Sequence, residues 1–309
     1  MLKRQPGAIH LPRFGGTAKL VDQFVALGKT RRAERMPLGE QSARRIGDEA
    51  AAIGIVTIDD ELLRLALAAQ TERLRLGTGV FLGALHHPIA SHEQASTLDQ
   101  ISGGRLMLGV GTGYRDYEFS NFGVNMKTRG RRLNETIELW KKAWTTGSWE
   151  WDGEFFHFSD VPVYPPAVQE PHPPIYIGGN SDAAIDRAAK YGDMWFTLPM
   201  EKMDVVIAMC DKYRAACAKY GREPRICLMR EGWVGENDAA VEREWYHRAL
   251  SFHRYYWETG TKGDEHDPVL QRVGADENVG MEEFARDRAF AGPPSFIKEE
   301  IEQIGRAHV

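Results

Sequence analysis

From about residue 60 onward, short apolar runs alternate with longer stretches whose apolar positions recur at helical spacing. Residues 74–81, 105–111, 175–178, 194–198 and 226–229 read as buried strands. Between them, Asp59, Asp60 and Glu61 favour a helix start by their charge, with Leu62, Leu63, Ala66 and Leu67 following at helical spacing. Residues 91–100 read as a helix closed by Ser102-Gly103-Gly104. Leu133, Ile137, Leu139, Trp140 and Trp144 mark the apolar face of a long helix, and two more span residues 181–191 and 204–220. Strands that alternate with helices imply parallel β-α-β units. Five such strands fit either a barrel or a doubly wound sheet, and the pattern alone does not choose.

Residues 147–174 break this rhythm. Trp149 to Phe158 alternates around Asp152-Gly153, a hairpin signal, and the proline-rich stretch behind it predicts an extended surface connection. Residues 231–309 read as helical and charged, with a loop at Gly292-Pro293-Pro294-Ser295 entering a helix over 296–304. No internal repeat or low-complexity tract interrupts the chain.

Hydrophobic residues make up 42% of the 309 positions and charged residues 27%, the balance of a globular protein. A net charge of -5 gives no basic footprint for a nucleic-acid partner. No apolar run approaches the roughly 20 residues of a membrane span. The N-terminus has no secretory apolar core behind its first basic residues, so a cytoplasmic protein is expected. Cys210, Cys217 and Cys227 form no Cys-x-x-Cys pair and read as plain thiols.

Three glycine-containing strand ends carry the candidate chemistry, because ligands of parallel α/β proteins bind where strands hand over to loops. At Thr78-Gly79-Val80 a missing side chain would let a flat ring approach, although by itself the run is better explained by a glycine that only relieves packing. Gly109-Val110-Gly111-Thr112-Gly113-Tyr114 lacks the third glycine of a dinucleotide fingerprint, so its small residues instead suggest room for a planar group. Gly178-Gly179-Asn180-Ser181 precedes a helix and suits a phosphate cradle or an ordinary N-cap. His86 and His87 sit just past the first of these strand ends, where either could face a ligand, whereas His92 is expected on a helix surface. No His-x-x-x-His cluster suggests a metal, and no Gly-x-Ser-x-Gly elbow suggests a hydrolase. The aromatic runs 149–158 and 245–257 read as core packing, with a lid over an apolar substrate as the alternative.

In order and spacing these segments resemble the bacterial luciferase-like flavin-dependent monooxygenases. The stretches that carry the resemblance are Ala69-Gln70-Thr71-Glu72-Arg73-Leu74-Arg75-Leu76-Gly77-Thr78-Gly79-Val80, His87-Pro88, Gln94 to Arg105, Gly109 to Tyr114, Arg129 to Glu135 and Pro173 to Gly179. The resemblance implies a (β/α)8 TIM barrel over residues 56–309, with 147–174 as an inset. It implies reduced FMN, or a deazaflavin coenzyme in some branches, at the C-terminal ends of the strands. By this analogy Thr78, Gly79 and Val80 border the isoalloxazine ring, and Gly111, Gly113 and Tyr114 line the cleft. Gly178, Gly179, Asn180 and Ser181 would hold the phosphate. A partner flavin reductase would supply the reduced cofactor, O2 and a small organic substrate would react, and a homodimer is compatible with the family. Deazaflavin-dependent hydride transfer and flavin binding without turnover are the alternatives. No residue is assigned a catalytic role. The ends depart from the pattern: in 1–55 only Ile53-Gly54-Ile55-Val56 reads as a strand, and the chain stops about where an eighth strand should begin.

Overall fold

A computed structural model describes residues 54–55, 68–199, 201–259 and 267–307, with backbone alone at 54–55, 160–161 and 305–307. The strands in chain order are β1 (Gly54–Ile55), β2 (Leu76–Gly77), β3 (Leu106–Val110), β4 (Ser148–Asp152), β5 (His157–Pro162), β6 (Ile175–Gly178), β7 (Met194–Phe196), β8 (Ile226–Cys227), β9 (Glu231–Val234) and β10 (Ala289–Gly292). β1, β2, β3, β6, β7 and β8 form one sheet in that spatial order, and every neighbouring pair is parallel. The order never reverses. A doubly wound sheet has a switch point where it does, so the winding is that of a barrel.

Beyond β8 lies a separate two-stranded sheet. Three residues on, β9 pairs in parallel with β10. The sequence reading of 231–309 as helical is therefore corrected at two places. Glu231-Gly232-Trp233-Val234 has no apolar run to betray it, and Ala289-Phe290-Ala291-Gly292 is too short for a period to show. At the other end, β1 realises the candidate strand at 53–56, pairing Gly54 with Leu76 and Ile55 with Gly77. A first strand, residues 1–53 of the expected N-terminal segment 1–55 and the helix start at Asp59 lie outside the described residues.

The helices that follow the strands of the sheet are α1 (Pro88–Ser102), α2 (Asp116–Asn121), α3 (Arg129–Thr146), α4 (Asp182–Tyr191) and α5 (Met203–Lys219). Side chains alternate across each strand. Leu106, Leu108, Val110, Ile175, Ile177 and Trp195 pack outward with Leu133, Ile137 and Trp140 of α3. Met107, Tyr176 and Phe196 point to the opposite face and pack with Val80, Met194, Cys227 and Met229. Burial on both faces explains why β3 reads as an unbroken apolar run. After β9 come α6 (Asp238–Val241), α7 (His247–Glu258), α8 (Pro268–Gly274), α9 (Met281–Ala285) and α10 (Pro294–Ala307). Val241, Trp245, Tyr246 and Leu250 build a second core there with Leu270, Val273 and Phe284.

The inset is held by two buried carboxylates. Glu135 of α3 accepts hydrogen bonds from Trp151 Nε1 (3.0 Å), Phe155 N (2.9 Å) and Phe156 N (3.0 Å), fixing the antiparallel β4–β5 hairpin. Asp99 of α1 accepts from Val168 N (2.8 Å), Gln169 N (3.0 Å) and Gln169 Nε2 (2.7 Å), anchoring the proline-rich connection. Trp149 and Phe156 of the first aromatic run and Trp245 and Tyr246 of the second are buried in the core, whereas Phe252 and Tyr255 of the second are exposed.

His92 corrects another expectation. It is not on a helix surface but 0% exposed, because α1 is covered on that side by α3 and the hairpin. Its ring lies 4.8 Å from those of Trp144 and Trp149, and neither ring nitrogen has a hydrogen-bond partner. Burial lowers its pKa to about 4. Among the described residues no helix is long and apolar enough to cross a membrane, and no group of three or more His, Cys, Asp or Glu side chains is placed to hold a metal.

Candidate active site

β2, β3 and β6 are neighbours in the sheet, so all three glycine-containing strand ends meet at its C-terminal edge. Strand pairing alone brings together Thr78, Gly79, Val80, Gly111 and Gly178, which are far apart in sequence.

The reason for the glycines is specific. A Cβ on Gly109 would lie 1.9 Å from Thr78 O, one on Gly111 would lie 2.7 Å from Val80 Cγ2, and one on Gly178 would lie 3.2 Å from Val80 Cγ1. The glycines at 109, 111 and 178 thus admit the Thr78-Gly79-Val80 segment onto the inner face of the sheet, with the Val80 side chain lodged against Gly111 and Gly178. The room that the sequence reading assigned to a planar ring at Gly111 is filled by a valine methyl. Thr78 is buried, and its Oγ1 donates to Gly109 O at 2.6 Å, so its hydroxyl serves the framework. Phe81 N donates to Gly109 O (2.8 Å) and Gly111 N to Phe81 O (3.0 Å), tying the segment to β3 on both sides. Gly79 is half-buried, and the Gly79–Val80 peptide is cis.

Gly113 has φ +78°, a conformation that L side chains rarely adopt, and a Cβ there would meet the Phe119 ring at 3.2 Å. Tyr114 behind it is 38% exposed and stands 5.2 Å from the Arg115 guanidinium. Arg115 also faces the rings of Tyr255 and Tyr256 at 5.7 and 5.5 Å, which joins this loop to α7. Sequence reasoning gave no hint of that link, because 140 residues separate Arg115 from Tyr255.

At the third strand end, Gly179 takes φ +131° and packs so closely on α4 that a Cβ would lie 2.7 Å from Ala184 Cβ. Its carbonyl accepts from Trp195 Nε1 at 2.8 Å. Ser181 is the N-cap of α4, and its hydroxyl accepts from Ala184 N at 3.2 Å. The hydroxyl proton stays available to a ligand, and the first turn of α4 presents N–H groups that have no acceptor within the helix. N-cap and phosphate cradle are therefore compatible.

One neighbour of this turn was missed by sequence. Asn180 Nδ2 donates to Glu201 Oε1 at 2.7 Å, from the loop that follows β7. Burial raises the Glu201 carboxyl above the usual range, opposed by the Asn180 hydrogen bond and by Arg230 and Arg288. The only available signal was position: Glu201 and Arg230 each follow a predicted strand. His86 is half-buried and stacks on Phe81 at 4.5 Å, whereas His87 is exposed beside the hairpin rings of Phe156 and Phe158.

A family model described as luciferase-like monooxygenase matches residues 62–309. The chain belongs to this family. It is 34% identical over 164 residues to an FMNH2-dependent dimethylsulfone monooxygenase of Pseudomonas putida, covering 52% of this chain and 45% of that one. It is 31% identical over 182 residues to the oxygenase component of a flavin-dependent trigonelline monooxygenase of Acinetobacter baylyi, covering 57% and 50%. The chain thus spans about half the length of these curated relatives. Among solved structures it resembles the monooxygenase RslO1 from Streptomyces bottropensis, with TM-score 0.65 and 25% identity over 79% of this chain and 71% of that one. The luciferase-like barrel class expected from the resemblance is the fold that these comparisons show.

Proposed function

We propose that the chain is the oxygenase of a two-component flavin system, which takes reduced FMN from a separate reductase and uses O2 to oxygenate a small organic substrate. The observation that carries this reading is the convergence of the three glycine-containing strand ends on adjacent strands of the sheet. The residues fit a flat, phosphorylated ligand. Val80, half-buried and packed on the buried Met107, Tyr176 and Phe196, would give an apolar wall for a ring system. The Gly178–Ser181 turn gives hydrogen-bond donors and a helix start for a phosphate.

Reduced flavin supplies the electrons for oxygen activation when bound. The chain's own part is to bind, orient and keep water away. Ser181 and the first-turn N–H groups of α4 would hold the phosphate, and Gly79 and the apolar wall at Val80 would bound the ring. Gly113 and Tyr114 would line the mouth of the cleft. The named activities of the two curated relatives, on dimethylsulfone and trigonelline, favour FMN over a deazaflavin and a small polar organic molecule as substrate.

The test is ligand-induced stabilisation. Reduced FMN is expected to raise the melting temperature more than riboflavin and more than a deazaflavin coenzyme. Substrate-dependent O2 uptake is then measured with a flavin reductase present. No stabilisation by any of the three refutes the flavin reading, and preference for the deazaflavin moves the chain to hydride transfer.

A further inference from the structure

We propose that Glu201 is a charge gate at the phosphate end of the flavin site: its carboxylate engages the Asn180 amide, and FMN binding is coupled to protonation of Glu201. This rests on the flavin reading above and adds to it a specific pH dependence.

Asn180 sits inside the turn that begins α4, yet its amide donates to Glu201 Oε1 at 2.7 Å. A half-buried carboxylate therefore lies beside a helix start that favours anions. Among the described residues no cation is within salt-bridge distance of that carboxylate. Arg230, three residues past the end of β8, donates instead to the main-chain carbonyl of Glu201, to Arg288 O at 3.4 Å and to Met203 S at 3.4 Å. Arg288, just before β10, is paired with Asp267, the N-cap of α8. Asp182, at the start of α4, is paired with Lys212 at 2.8 Å. Arg230, Arg288 and Asp267 are the charged groups that act on Glu201 from the packed elements, and the one acid among them disfavours its ionised form.

A phosphate brought to this turn adds negative charge next to Glu201. Like charge favours the neutral carboxylic acid, the direction in which burial already pushes it. The bound-state pKa therefore lies above the free-state pKa, and binding takes up a proton. By linkage the FMN affinity is highest where Glu201 is protonated and declines as pH rises between those two values, by up to about tenfold per pH unit. Riboflavin carries no phosphate and escapes the effect.

The experiment measures dissociation constants of FMN and riboflavin across pH for the native protein and for Glu201→Gln, with melting temperatures as a check on folding. The phosphate's own titration is common to both proteins and cancels in the comparison. The expected result is an FMN-to-riboflavin affinity ratio that falls with pH more steeply in the native protein than in Glu201→Gln, the two converging at the acidic end. Glu201→Ala, which removes the charge without supplying an amide, should follow the Gln variant. Parallel ratios in the two proteins overturn the gate while leaving the flavin reading intact. Equal weakening of FMN and riboflavin in Glu201→Gln also overturns it, since Glu201 would then only support the turn. Equal affinity for FMN and riboflavin at every pH removes the phosphate cradle itself, and the gate with it.

Discussion

Gly111→Ala sets a Cβ 2.7 Å from Val80 Cγ2 and 3.6 Å from Val80 Cβ. Neither partner can withdraw easily, because Gly111 N donates to Phe81 O at 3.0 Å and Phe81 N to Gly109 O at 2.8 Å, which locks the segment on both sides of the contact. Gly111 is not among the glycines with positive φ, so alanine meets no backbone penalty there and the whole cost is overpacking. That cost should be about 1–3 kcal/mol. Val80→Ala removes both methyls of a half-buried side chain and should cost about 1 kcal/mol by itself. In the Val80→Ala background the clash is gone, so Gly111→Ala becomes nearly neutral and the double variant is more stable than the sum of the singles by about 1–3 kcal/mol. Urea denaturation of the four proteins measures this coupling. Gly178→Ala, whose Cβ would lie 3.2 Å from Val80 Cγ1, should show a milder cost with the same rescue. Additivity within about 0.5 kcal/mol would refute the lodged valine, and with it the account of why these strand ends carry glycine.

Glu135→Ala strips the hairpin of a buried acceptor for three N–H groups and should cost about 3 kcal/mol; limited proteolysis should then cut between β4 and β5 before the barrel strands. His92 supplies an acid sensitivity. Its pKa falls from 6.5 to about 4 on folding, so the unfolded chain takes up the proton first. Stability is full above the unfolded pKa and drops by about 3 kcal/mol as pH falls to the folded value. His92→Phe should flatten that slope in denaturation curves measured across pH, and an unchanged slope would place the sensitivity elsewhere. Ser181→Ala loses the N-cap to Ala184 N and should cost about 1 kcal/mol of stability. It should also weaken FMN by about 1–2 kcal/mol while sparing riboflavin; equal loss for both ligands would confine Ser181 to capping.

Much of the barrel was legible in the sequence because its signals are local. Leu106–Val110 and Ile175–Gly178 are apolar over consecutive residues since parallel strands are buried on both faces, and helix α3 shows its stripe at Leu133, Ile137 and Trp140. The three glycine-containing strand ends stood out for the same reason, each being a short run with an unusual composition. β9 and β10 did not, since four residues such as Glu231-Gly232-Trp233-Val234 have no period to read.

What the chain pattern left open was the choice between a barrel and a doubly wound sheet, and strand order settled it. Order is a matter of which backbones pair, and pairing joins residues too distant in sequence for any local spacing to record. The same holds for the site. Sequence marked Gly111 as a place with room and Gly178 as part of a phosphate turn; only the packed structure shows that Val80, from a third strand end, lodges against both. Glu201 and His92 were likewise ordinary residues until tertiary contacts placed one against Asn180 and closed two tryptophans around the other. A side chain's charge state and reach depend on what surrounds it in space, and the linear order of residues does not contain those surroundings.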